Sequence, residues 1–490
     1  MYTSTTVLLS KPEHVFDRDR EWEGLARFAA SVDPDVRLGI VSGRRRQGKT
    51  FLLDAIATAV GGFFHTAVES TETEALARFG HALAAHTGGG RYAFDDWEEA
   101  LARLFAAVPE GLIVLDEFPY LSKASPSLPS LIQHALGPRG HARQGAARLL
   151  LCGSAMSVMG RLLAGSAPLR GRASLELVVR PLDYRTAARF WGITDPRLAI
   201  LVHSIVGGTP AYRREFVGGD APSSPADFDD WVLRAVLNPQ MPLFREARYL
   251  LAEDADIRDT AIYHAVLGAI ASGNATRGGI AGHIGRKSPD IGHPLAVLED
   301  AHLISHEADP FRRGRSVYRI CEPLIVFYEA VMRREWTRLE RGDAPGAWRN
   351  ARATFLAQVV GPHFEEICRE WAMSADPDVF GELPGEVGAG IVNDPANRTQ
   401  IEVDVAVLAA EDAGRPRRVL SLGEAKWDRA MTAAHLERLR RARDLLSVKG
   451  FDTAGTVLVC YGGAGFDPEL TRAARADRRI LLADPSVLYG

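Results

Sequence analysis

Residues 36–60 read VRLGIVSGRRRQGKTFLLDAIATAV, and this stretch decides the fold. VRLGIVS (36–42) is a short apolar run rich in β-branched residues, the pattern of a buried strand. FLLDAIATAV, from Phe51, reads as a helix. Between them lies GRRRQGKT, Gly43 to Thr50, a GxxxxGK[ST] pattern in the strand–turn–helix setting it requires. Glycines let backbone N–H groups converge on phosphates, and the helix N-terminus adds the positive end of its dipole. Gly43, Arg46, Gln47, Gly48, Lys49 and Thr50 are therefore the candidate nucleotide contacts. Lys49 would reach the β- and γ-phosphates of ATP, and the Thr50 hydroxyl would ligate Mg²⁺.

Outward from the loop, GLIVLDEF (111–118) places two acids after an apolar run, as a buried central strand opening on a site does. Asp116 would hold the Mg²⁺ shell, and Glu117 would polarise the attacking water. FFHTAV (63–68) and RLLLCGS (148–154) are further strands. A strand inserted between the loop strand and the acidic one is the order of additional-strand phosphate-loop proteins. Ser154 stands at the end of the next strand, either as a polar sensor of the γ-phosphate or as a strand cap.

With 490 residues, the chain exceeds what one core organises. The 58 basic and 62 acidic residues leave a net charge of -4, so any electrostatic attraction to nucleic acid must come from a local patch. The four cysteines (Cys152, Cys321, Cys368, Cys460) form no CxxC pair, which argues against a zinc site or disulfide scaffold and fits a reducing cytoplasm. No apolar stretch approaches the ~20 residues that span a bilayer, and the amino terminus lacks the features of a signal peptide.

Residues 183–250 read mostly as helices (YRTAARFWG, DFDDWVLRAVL). TAIYHAVLGAIASG, TRGGIAGHIG and PDIGHPLAVLEDAHLI then give three helices, and HLISHEADPFRRGRSVYRI two strands joined by a basic turn. Three helices and a ribbon describe a winged helix. Its third helix would enter a DNA groove, with Arg312, Arg313 and Arg315 on phosphates, or the module packs against protein. Residues 276–319 hold seven Lys/Arg against five Asp/Glu, a net of +2 that decides neither.

The segment MRREWTRLERGDAPGAW (332–348) ends in a turn that marks a boundary. Beyond it QIEVDVAVL (400–408) alternates as a half-buried strand, with Glu402 and Asp404 on one face. RRVLSLGEAKW (417–427) is a second strand with Glu424 and Lys426 on one face. Pairing them gathers Asp404, Glu424 and Lys426. Two carboxylates would hold Mg²⁺, and the lysine would orient a water and offset transition-state charge. The other reading is a structural ion-pair cluster on a sheet.

The ordered elements FDRDREWEGL (16–25), GRRRQGKTFLL, LIVLDEFPYL, LLLCGSAMS, PLRGRASLELVVRPL (168–182) and GGTPAY (207–212) resemble the archaeal-type branch of the AAA+/STAND-like P-loop ATPases over about 200 residues. That resemblance implies an adenine rim at Asp17 and Arg18. It implies a γ-phosphate-sensing arginine at Arg172, with Arg170 second, acting within one chain or across a subunit boundary. The D-x(19)-E-x-K order of Asp404, Glu424 and Lys426 resembles the PD-(D/E)xK nucleases. There the helix GPHFEEICREW (361–371) would add a metal-ligating acid at Glu365, with Glu366 second.

The expected architecture is α/β: a P-loop ATPase core with an additional strand (1–182), a helical lid (183–255), a winged helix (256–320), a helical linker (321–345) and a carboxy-terminal restriction-endonuclease-like domain (346–490). The expected function is ATP hydrolysis coupled to Mg²⁺-dependent cleavage of nucleic acid, with DNA as the partner. The alternative is a nucleotide-driven switch or DNA-binding regulator whose nuclease fold is silent. Either could involve a homo-oligomer or a protein partner.

Overall fold

The computed structural model describes residues 9–35, 37–252, 260–312 and 314–490. They fall into two compact units, one running to Pro181 and the other from Leu182 to Gly490. Among the described residues no helix is long and apolar enough to cross a membrane.

The first unit is built on strands β1 (Leu38–Ser42), β2 (Phe63–Thr66), β3 (Leu112–Asp116), β4 (Arg148–Gly153) and β5 (Ala173–Val178). They lie in the order β2-β3-β4-β1-β5, and every pair is parallel. The strand carrying the glycine-rich turn and the acidic strand are thus separated by β4. β3 and β4 are buried along their whole length, which is why each reads as an unbroken apolar run. Their side chains alternate between two cores. Ile113, Leu115, Leu149 and Leu151 join Phe63, Phe79 and Trp97 on one side. Val114 and Leu150 join Val41, Leu53, Ile56 and Trp22 on the other.

The second unit contains a two-stranded ribbon, β6 (Ile304–Ala308) and β7 (Ser316–Ile320), followed along the chain by a sheet of β8 (Glu386–Asp394), β9 (Thr399–Leu408), β10 (Val419–Lys426), β11 (Val457–Gly462) and β12 (Ile480–Ala483). β8, β9 and β10 are antiparallel neighbours, whereas β10, β11 and β12 run parallel. The helix Ala433–Val448 sends Leu436, Leu439 and Leu446 into the core on one face. On the other, Trp371 of the helix Gly361–Met373 meets Tyr461 edge-on at 5.9 Å. β9 departs from the half-buried alternation. Glu402 is exposed, but every residue from Val403 onward is buried, because both faces of this central strand are covered.

The segment from Leu182 belongs to this second unit. Tyr184 Oη and Arg185 Nε both donate to the Leu488 carbonyl at 2.7 Å, and the Arg197 guanidinium lies 4.3 Å from the Trp427 ring centre. The turn of Asp343 opens a helix: its carboxylate accepts from Gly346 N at 3.0 Å, capping Ala344–Thr354.

The helices Thr260–Ala271, Arg277–His283 and Gly292–Asp300 share a core with β6 and β7. The third helix exposes His293, Ala296 and Asp300. The turn of the ribbon packs against the carboxy-terminal sheet. Phe311 is buried among the core residues of the carboxy-terminal sheet, edge-on to Phe451 at 5.8 Å. The Asp309 carboxylate accepts from Phe311 N at 2.9 Å and from Ile391 N of β8 at 3.3 Å. Arg312 donates to Asn393. Gly390 permits this approach, since a Cβ there would lie 2.4 Å from the Phe311 ring. Arg313 lies outside the described residues, and Arg315 is half-buried.

Candidate functional site

In the first unit the carboxyl ends of β1, β4 and β3 stand side by side, so the segments leaving them meet. Gly43 leaves β1 at φ 151°, and a Cβ there would sit 2.4 Å from the Val179 carbonyl oxygen. Arg46 (φ 68°) and Gly48 (φ 85°) are both left-handed, the alternation that turns backbone N–H groups toward a common anion. Lys49 is buried, its Nζ donating to the Arg44 carbonyl at 2.8 Å. Burial lowers its pKa, against the opposing charges of Glu117 and Asp116. Gln47 is also buried.

Thr50 Oγ1 donates to Asp116 Oδ2 at 2.8 Å. Asp116 Oδ1 is buried and has no hydrogen-bond partner among the described residues. Glu117 follows in a left-handed conformation (φ 51°, ψ 40°), and Ser154 Oγ donates to its carboxylate, 3.0 and 2.9 Å from the two oxygens. Ser154 is thus not merely a strand cap. Asp17 (φ 54°) and Arg18 (φ 65°) form a strained entry to the first helix, and Arg18 Nη2 donates to the Gln47 carbonyl at 3.3 Å.

Arg172 is not brought to this cluster. It precedes β5, whose first residue Ala173 pairs with Leu38 at the start of parallel β1. At about 3.3 Å per residue, the strand length places its backbone roughly 16 Å from the phosphate loop. Arg172 and Arg170 are exposed there, and Arg170 donates to the Gly165 carbonyl. This register sets Arg172 at the end of the sheet opposite the phosphate loop of its own chain. The loop residue that does face the cluster is Arg45, whose Nε donates to Ser154 Oγ at 3.3 Å. Three successive arginines signalled a basic loop, but nothing in their spacing distinguished Arg45.

The second unit gathers Asp404, Glu424 and Lys426, as the pairing of β9 with β10 requires. Lys426 Nζ lies 3.4 Å from Glu424 Oε1 and 3.8 Å from Asp404 Oδ2. Asp404 Oδ2 also accepts from Ala425 N at 2.8 Å. Arg438, from the helix Ala433–Val448, donates to Glu424 Oε1 at 3.0 Å, while Glu424 Oε2 is buried without a partner among the described residues.

Glu365 is near, and burial together with Asp404 pushes its pKa up to about 7. The expected set of Glu365, Asp404 and Glu424 is nevertheless not assembled: among the described residues no three His, Cys, Asp or Glu side chains converge as an ion cage. Arg369 donates to the Asp404 carbonyl at 2.9 Å and stands 3.9 Å from Glu365, so a guanidinium lies among the acids. Burial would raise Glu366, but Arg369 holds it below its usual range. Arg319 of β7 adds positive potential at both glutamates. Arg369 was legible only as one more charge on an amphipathic helix.

Comparison with solved structures places the architecture. A Walker-type ATPase of Pyrococcus abyssi superposes with a TM-score of 0.50 at 19% identity, over 65% of this chain and 97% of its own. The α/β fold with its parallel five-stranded sheet is like that of this Walker-type ATPase. The ORC2 protein of Aeropyrum pernix, in an ADPNP–ADP complex, gives a TM-score of 0.38 at 15% identity over 67% of this chain and 99% of its own. In sequence, an uncharacterized protein of Methanocaldococcus jannaschii is 26% identical over 295 residues, 59% of this chain. The chain spans 62% of that relative's length. No family model matches.

Proposed function

We propose that this chain hydrolyses ATP in its first unit and cleaves a phosphodiester of nucleic acid, DNA, in its second. The observation that carries the reading is the meeting of Lys49, Thr50, Asp116, Glu117 and Ser154 at the ends of three adjacent parallel strands. The residues fit a magnesium nucleotide. The loop amides and Lys49 would take the phosphates, and the buried Asp116 Oδ1 and Thr50 Oγ1 supply oxygens of the kind Mg²⁺ prefers. Bound there, the ion would neutralise charge on the β- and γ-oxygens. Glu117 would orient the water whose oxygen bonds to the γ-phosphorus as the bond to the bridging oxygen breaks and ADP leaves. Asp17 and Arg18 would border the adenine, Ser154 would sense the γ-phosphate, and Arg172 would act only from another subunit.

The residues from Leu182 onward are read as a helical lid, a winged helix (256–320) and a PD-(D/E)xK nuclease-like domain. Asp404 and Glu424 fit a Mg²⁺ site with retained waters, which needs only one or two carboxylates. The ion would activate water and polarise the phosphate. Lys426 would steady the charge that builds as the new P–O bond forms and the sugar oxygen leaves. A second reading, a nucleotide-driven switch or DNA-binding regulator with a silent nuclease fold, is favoured by Lys426 and Arg438 both engaging Glu424 Oε1.

The deciding assay is Mg²⁺-dependent cleavage of single-stranded, duplex and branched DNA, with and without ATP, beside Glu424→Ala. Cleavage lost in the variant, with ATP hydrolysis intact, supports the nuclease. ATP hydrolysis without cleavage of any substrate leaves the switch.

A further inference from the structure

Glu424, near the end of β10, uses its two oxygens unevenly. Oε1 accepts from Arg438 at 3.0 Å and lies 3.4 Å from Lys426 Nζ. Oε2 is buried and has no hydrogen-bond partner among the described residues. A buried carboxylate with one crowded and one empty oxygen has capacity for a further ligand. Oε1 is also the oxygen turned toward Asp404, because the same ammonium stands 3.8 Å from Asp404 Oδ2. A cation held jointly by Asp404 and Glu424 would therefore compete for the oxygen that Arg438 holds.

Arg438 differs from nearby arginines in how it is held. Arg369 is buried, bonded to the Asp404 carbonyl and the Glu366 carboxylate. Arg441, one turn further along the helix of Arg438, grips Asp394 through two nitrogens at 2.9 and 2.8 Å. Arg438 meets Glu424 through one nitrogen, with 48% of its side chain exposed against 2% of the acid's. We infer that Arg438 is a phosphate-binding residue held in reserve: it stays on Glu424 Oε1 until a divalent cation binds, then moves outward to a phosphate of the bound strand. The inference deepens the nuclease reading and rests on it. A doubly charged ion on the acids repels the guanidinium, and a phosphate offers it a two-pronged contact that one crowded oxygen does not. The stem is already half in water, so the movement displaces no core side chain. The contact that favours a silent fold thus becomes the resting state of an active one.

The test uses the full chain without nucleotide, the variants Arg438→Ala and Glu424→Gln, the two combined, and Glu424→Ala as the blank for the site. Mg²⁺ and Ca²⁺ are each titrated calorimetrically. Binding of a short DNA duplex is followed by anisotropy in EDTA and in Ca²⁺ over a range of salt, with recovery of intact duplex checked. Arg438→Ala is expected to bind either cation about tenfold more tightly, its competitor being gone. In Ca²⁺ the same variant should lose about tenfold in DNA affinity and about one unit of salt slope. In EDTA it should match the wild type to within about twofold. Glu424→Gln keeps the shape but loosens its hold on Arg438, so DNA affinity in EDTA should rise, a gain absent from the double variant.

Unchanged cation affinity in Arg438→Ala would overturn the inference. So would a loss of DNA affinity equal in EDTA and in Ca²⁺, which is what a fixed surface charge gives. A gain from Glu424→Gln that survives removal of Arg438 would do the same, since it would reflect only the lost acid. A wild-type chain that takes up no more of either cation than Glu424→Ala, with Arg438→Ala no better, would instead remove the metal-dependent nuclease reading itself. Matching melting curves of the variants in EDTA separate these outcomes from misfolding.

Discussion

Thr50 and Asp116, 66 residues apart in the chain, are joined by a 2.8 Å hydrogen bond between the helix after the glycine-rich loop and the end of β3. The bond exists because β4, lying between β1 and β3, still leaves their carboxyl ends on one edge of the sheet. Asp116→Asn keeps the shape and an acceptor for Thr50 but removes the charge. Hydrolysis is expected to fall by about a hundredfold or more, with the loss greatest at low Mg²⁺. A Mg²⁺ titration of the rate checks this, and an unchanged titration would count against metal binding at Asp116.

The position of Arg172 gives a second expectation. Since β5 starts beside the start of β1, Arg172→Ala should leave hydrolysis by dilute, monomeric protein unchanged. A loss seen only as concentration rises would assign the residue to a neighbouring subunit. A loss at every dilution would contradict the register argument.

Phe311 and Gly390 are matched in size. Phe311→Ala removes a ring from the carboxy-terminal core and is expected to cost about 3 kcal/mol. Gly390→Ala forces a Cβ into that ring and should cost about 1–3 kcal/mol. The double variant relieves the clash, so its cost should be less than the sum of the two. Denaturant unfolding of the three variants measures the coupling, and strict additivity would show that the ring and the glycine do not meet.

His65 supplies a pH dependence. It is buried in β2, edge-on to Phe79 at 5.4 Å, and burial lowers its pKa from 6.5 to about 4. The unfolded chain takes up the proton near 6.5, while the folded chain resists until about 4. Stability from the neutral ring is therefore complete above about 6.5 and is lost as pH falls toward 4, by about 3 kcal/mol across the window. His65→Phe should flatten that part of the acid limb in denaturant midpoints measured between pH 7 and pH 4.5. An unchanged slope would assign the limb to other groups.

The strand–loop–helix of residues 38–60 was legible because strand periodicity, glycines and the lysine–threonine pair all act locally. The acids Asp404 and Glu424 were legible for a similar reason, since alternation fixes which residues share a face. The rest depended on partners. No local pattern shows that Arg369 and Arg438 enter an acidic cluster, or that Arg45 rather than Arg46 meets Ser154. The basic turn around Arg312 read as a phosphate contact because its charge is local, whereas the partner of Phe311 is a distant sheet. For Arg172 the motif gives the identity, but only the strand register gives the location.

The ribbon turn has a consequence for how the chain is made. Asp309 finds Ile391 82 residues later, and Phe311 fills a core whose other walls are translated later still. While the chain emerges from the ribosome, an aromatic ring and a carboxylate must wait without their partners. The three-helix segment can close its own core early, but the final sheet cannot be completed around an absent Phe311. Synthesis order and assembly order therefore part company at this turn, and a slow step in refolding is expected where the ribbon is captured.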